Sequence, residues 1–129
     1  MTIDRTEFYW SSLCKLISKL ICWVHIVRRQ DFQDEDDRWG QLLTISIEGY
    51  LEGPAGFVSF KDIDAVEISI YRLKGGMANQ PLQMIDMKTE ILEALQETQL
   101  CWEIRESTWS VDRHFEEEPV TVIAILNPF

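Results

Sequence analysis

The stretch best equipped for chemistry is DFQDEDDRW, residues 31–39. Five acids, Asp31, Asp34, Glu35, Asp36 and Asp37, fall within seven positions with no lysine or arginine among them. Carboxylates at this density can hold a divalent cation, and spacing is the test. A calcium loop needs oxygen ligands at alternating positions, a glycine at the sixth and a bidentate acid at the twelfth. Counted from Asp34, Asp36 fits, but Arg38 falls on a ligand position, Trp39 replaces the glycine and Ile45 takes the twelfth place. The run therefore predicts a solvated loop. Like charges this close repel one another, and burying them would require a cation. The acids are expected to be exposed, with Trp39 as the apolar anchor of an electrostatic contact surface. Its basic counterpart would be Lys15, Lys19, Arg28 or Arg29 of a neighbouring copy, or the cleft of a foreign target.

A second constellation is Asp112, His114 and Glu116. In an extended chain these alternate residues share one face and could ligate iron or zinc. No second ligand cluster accompanies them, so a loop histidine is the expectation and no structural metal or cofactor is predicted. His25 lies among apolar residues and reads as a core or edge histidine. Cys14, Cys22 and Cys101 are odd in number and contain no Cys-x-x-Cys, which predicts three buried, reduced thiols in a reducing compartment. There is no nucleophile elbow, phosphate loop or dinucleotide fingerprint. Glu90, Glu93 and Glu97 read as the wet face of a helix. These features point away from an enzyme.

The elements that must position these residues follow from periodicity. Asp4 and Glu7 have capping-box spacing, and Trp10, Leu13, Leu16, Ile17, Leu20 and Ile21 then recur as one apolar stripe, opposite Lys15 and Lys19. From Trp23 the chain turns β-branched and aromatic, which reads as a turn and then a strand or, as the alternative, as a longer helix. Leu42 to Leu51 alternates as a half-buried strand that ends at Gly53-Pro54 and Gly56. Ala65 to Leu73 alternates with Val66, Ile68 and Ile70 inward and Glu67 and Ser69 outward. Pro81 suits the first turn of a second helix over 82–97, with Met84, Met87, Ile91, Leu92 and Leu95 as its stripe. Leu100 to Trp109 is a strand with Leu100, Trp102 and Ile104 on one face. Val120 to Leu126 is apolar on both faces, as in a central strand. The expected core includes Ile45, Ile47, Leu92, Leu95, Trp102, Ile104, Val122 and Ala124.

This order predicts one α+β domain over residues 1–129. It would be an antiparallel sheet of about four to five strands with two helices packed on one face. The 129 residues suffice for a core without disulfides or metal. The formal net charge of −10 is uneven. Residues 1–30 carry five basic side chains and two acids, net +3; the rest carry seven and twenty, net −13. So acidic a chain is not expected to bind nucleic acid directly, which takes basic clusters. The run Leu13 to Val27 is broken by Lys15 and Lys19 and is too short to span a bilayer. The polar start lacks a signal peptide's pattern, so an intracellular setting is expected.

The helix DMKTEILEALQE, the strand LCWEIRESTW, the acidic connection HFEEEPV and the closing strand VTVIAIL together resemble the end of phage tail terminator and tail-completion proteins. QLLTISIEGYLEG and the N-terminal helix are similar to that plan as well. The likeness covers residues 41–51 and 84–129 by element order, and the strand Ala65 to Leu73 has no place in it. It implies a non-enzymatic assembly protein of the virion, or of the host cytoplasm before assembly. Such a protein forms a homo-oligomeric ring, usually a hexamer, that caps the tail tube and contacts neighbouring tail or neck proteins. The charge asymmetry also suits a small acidic inhibitor, a toxin-immunity or anti-defence protein that covers a basic site on its target.

Overall fold

The structure, a computed structural model, describes residues 5–29, 40, 49–54, 56–74, 78–81, 83–107 and 120–129. Helix α1 (Arg5–Leu20) buries Tyr9, Trp10, Leu13, Cys14, Leu16 and Ile17 on one face, as its 3.6-residue period requires. It stops where Ile21 takes φ of 54°, a left-handed conformation that costs a β-branched residue free energy and breaks the helical ladder. Ile21 thus leaves the predicted stripe and is exposed.

Strand β1 (Val24–Arg28) follows the turn. Beyond residues outside the described set come β2 (Tyr50–Gly53) and β3 (Gly56–Ser59), a hairpin closed through Pro54. Gly56 has φ of 108°, a conformation that L side chains rarely adopt. After a short 3-10 turn (Phe60–Asp62) run β4 (Ile63–Ser69) and β5 (Tyr71–Lys74); then come β6 (Gln83–Asp86), α2 (Lys88–Gln96), β7 (Trp102–Ser107) and β8 (Val120–Leu126).

The main sheet has the order β1-β4-β8-β7, antiparallel throughout, with β2-β3 and β5-β6 as two small ribbons. The register sets Val24 beside Ile68, Ile68 beside Ile123, Ile26 beside Val66 and Val66 beside Ile125. These side chains share one face, and they join the buried residues of both helices in a single core cluster. The fold is α+β, with the helices on one face of the sheet.

Several expectations are corrected. The second helix begins at Lys88, not near residue 82, because Gln83–Asp86 pairs with Tyr71–Lys74 and its backbone groups are taken by that ladder. Pro81 therefore precedes a strand, and the Asp86 carboxylate accepts a hydrogen bond from the Lys88 N–H at 2.8 Å to start the helix. Ile104 is 46% exposed, since β7 lies at the sheet's edge beyond the reach of the helices. Trp102 and Leu92 are half-buried and pack against the core cluster from its margin, whereas Leu95, Val122 and Ala124 are buried as expected. Glu67 and Ser69 are on the face opposite the core, as alternation requires, yet both are buried. Ile45 and Ile47 lie outside the described residues.

Candidate functional site

Most of the expected contact surface, Asp31, Asp34, Glu35, Asp36, Asp37 and Trp39, lies outside the described residues. So does the Asp112, His114 and Glu116 set. Among the described residues no three histidines, cysteines or acids are grouped to hold a metal ion. No helix there is long and apolar enough to cross a membrane.

The basic residues can be placed. Lys15 and Lys19 project from the exposed side of α1. Arg28 and Arg29 stand at the far end of β1, about 15 Å along the strand from the turn that leaves the helix. The structure does not bring the four cations into one patch. Instead Arg28 joins Lys61, Tyr50 and Phe57 around a shallow depression of about 280 Å³, and the Arg29 guanidinium donates to the Lys61 carbonyl at 3.1 Å. Tyr50 and Phe57 are exposed because their neighbours in the ribbon, Leu51 and Val58, take the inward positions.

A larger cleft, about 570 Å³, opens at the other flank of the same sheet end. Arg5, Phe8, Tyr9, Ser12, Cys101 and Phe129 line it. Phe8 is 59% exposed there, and Phe129 meets Tyr9 edge-on with ring centres 5.6 Å apart. Tyr9 anchors this flank. Cys101 and Leu126 face each other across β7 and β8, and the Leu126 N–H donates directly to the Cys101 carbonyl at 2.8 Å. The return bond runs through Tyr9: the Cys101 N–H donates to its hydroxyl at 3.0 Å, and the hydroxyl donates to the Leu126 carbonyl. Burial raises the Tyr9 pKa to about 12, outweighing the backbone hydrogen bond at Cys101. Tyr9→Phe is expected to cost about 1–3 kcal/mol, because it strands a partly buried N–H and carbonyl. Denaturant titration at neutral pH measures it.

The thiols divide. Cys14 and Cys22 are buried, and desolvation pushes each up to about 12, in Cys22 against the opposing charge of Arg72. Cys101 is exposed, against the expectation of three buried thiols, because it precedes the edge strand and opens onto the cleft.

The face of the sheet opposite the two helices carries a buried glutamate with two side-chain partners. The Glu67 carboxylate, at the centre of β4, takes a hydrogen bond from His25 Nδ1 on β1 at 3.0 Å and from Arg105 Nε on β7 at 3.0 Å. Arg105 can reach across β8 because Ala124 stands between Glu67 and Glu103 in the register and its methyl leaves the space clear. Arg105 also lies 3.8 Å from Glu103. Burial works against ionisation of Glu67, but the His25 hydrogen bond and the Arg105 charge outweigh it and hold the carboxyl below its ordinary value. The arrangement fixes three strands to one another. The sequence reading missed it: the only signal was a glutamate in a strand later found to be central, with its partners on distant elements.

No family model, curated protein or solved structure matches this chain.

Proposed function

We propose that this chain is a non-enzymatic assembly subunit that works as a ring, in the manner of the tail terminator and tail-completion proteins its C-terminal half resembles. The observation that carries the reading is the pair of unlike, partly apolar surfaces at opposite flanks of one sheet end. One is the Phe8 and Phe129 cleft beside β7; the other is the Tyr50 and Phe57 ribbon with Lys61 beside β1. Ring closure takes heterologous contacts, one face of a subunit against a different face of the next. In this reading Asp31, Asp34, Glu35, Asp36, Asp37 and Trp39 meet the cations of a neighbour, Arg28 and Arg29 on the ribbon side or Lys15 and Lys19 on α1.

The mass of the purified particle is the test: a value near six copies is expected, and a monomer or dimer rejects the ring. Neutralising four of the five acids to Asn or Gln should weaken assembly by roughly tenfold at low salt and much less at high salt, because rim charges are screened. Unchanged assembly at low salt would make the run mere wet surface. One observation favours the inhibitor reading instead. The expected strand Ala65 to Leu73, which has no counterpart in the tail proteins, is divided between β4 and β5, and β4 is an inner strand of the main sheet. A small acidic protein covering a basic target site would have the mass of one or two chains.

A further inference from the structure

The two edges of the main sheet are treated differently. At the β1 edge, Val24 exchanges backbone hydrogen bonds with Gly40, at 2.8 and 3.1 Å. The β2–β3 ribbon also leans on that edge, so closely that a Cβ on Gly53 would collide with the Ile26 side chain. At the other edge, β7 has β8 on one side and no strand beyond it among the described residues. Open edges are a liability that proteins cover, twist or charge.

The direction of the β7 backbone groups follows from one bond. The Cys101 carbonyl accepts from Leu126 of β8, so Cys101, Glu103 and Arg105 turn their backbone groups toward β8. Trp102, Ile104 and Glu106 then turn theirs outward, since the direction alternates along a strand. The side chains of these outward residues include Ile104, a large apolar group left uncovered.

We propose that β7 pairs antiparallel with β7 of a second copy about a two-fold axis at Ile104, joining two four-stranded sheets into one of eight strands. The sequence WEIRE is self-complementary in this register. Ile104 meets Ile104, each Glu103 faces an Arg105, and Trp102 faces Glu106. Outward-directed residues pair with outward-directed residues, as hydrogen bonding demands. Neighbouring two-fold registers set Glu103 against Glu103 or Arg105 against Arg105, and like charges directly opposed destabilise a pair. The contact goes beyond the ring reading and does not rest on it: a two-fold contact closes at two chains, alone or between two stacked rings.

Cross-linking in the full chain tests the register. With Cys101→Ser removing the exposed thiol, Ile104→Cys should form a disulfide-linked dimer under mild oxidation. Cα atoms in a directly opposed hydrogen-bonded pair lie about 5.5 Å apart, within disulfide range. Glu103→Cys in the same background should link far less, because its two copies are diagonal rather than opposed. Separately, Glu103→Arg should weaken self-association at least tenfold by sedimentation while leaving the thermal midpoint of the monomer near its starting value. No Ile104→Cys link, or equal linking at position 103, overturns the proposal. A six-copy particle without the Ile104 link would keep the ring and reject this contact. The link in a particle of two copies would do the reverse.

Discussion

Leu95→Ala lowers the stability of the protein by about 2–5 kcal/mol, the range for emptying a fully buried leucine site. Leu95 is 1% exposed and lies with Ile91 on the buried face of α2, in the same cluster as Trp10, Val66 and Ile123. Nine residues make a short helix, and one this short is marginal without tertiary packing. The loss should therefore reach past the cavity and loosen α2 itself. Chemical denaturation gives the magnitude, and hydrogen exchange at Ile91–Gln96 shows whether the helix opens ahead of the sheet. A loss under about 0.5 kcal/mol, the range of surface substitutions, would reject this face of α2 as core.

Glu67→Leu is expected to cost about 2–4 kcal/mol, since it leaves His25 and Arg105 facing an apolar group in a partly buried setting. The pH dependence has a definite sign. Glu67 has a folded-state pKa below its ordinary value of 4.5, so the folded state holds the proton less well than the unfolded chain. Its stabilisation is present above the unfolded value and drains away as pH falls below about 4.5 through the folded value. Glu67→Gln removes the titration, and its stability curve should be flatter than that of the original chain in this acid window. Parallel curves for the two proteins below pH 4.5 would show that Glu67 is not held in its charged form by the pair.

Tyr9 and Glu67 explain why part of the architecture was hidden in the sequence. Tyr9 is separated by 117 residues from Leu126, and Glu67 by 42 from His25 and 38 from Arg105. No local spacing reports such neighbours. The helix expected over residues 82–97 shows a subtler failure. Met84 and Met87 fit the helical stripe by spacing, but Gln83–Asp86 finds a better partner in β5, and the ladder prevails over the period. The candidate contact surface was legible only as charge. The acids of residues 31–37 stand out at once, whereas Tyr50, Phe57 and Lys61 become a surface only when the ribbon folds beside Arg28.

By itself the sequence determined the face of α1, the central place of the doubly apolar Val120–Leu126 and the α+β class, because amphipathic period is a property of neighbours along the chain. Tertiary structure alone decided that β4 is an inner strand and Glu67 is buried between His25 and Arg105, that α2 starts at Lys88, and that Ile104 stands on a strand with no further strand beyond it among the described residues. Alternation says which residues share a face of a strand. It cannot say whether that face is covered, or whether another strand lies alongside, because both depend on segments far away in sequence.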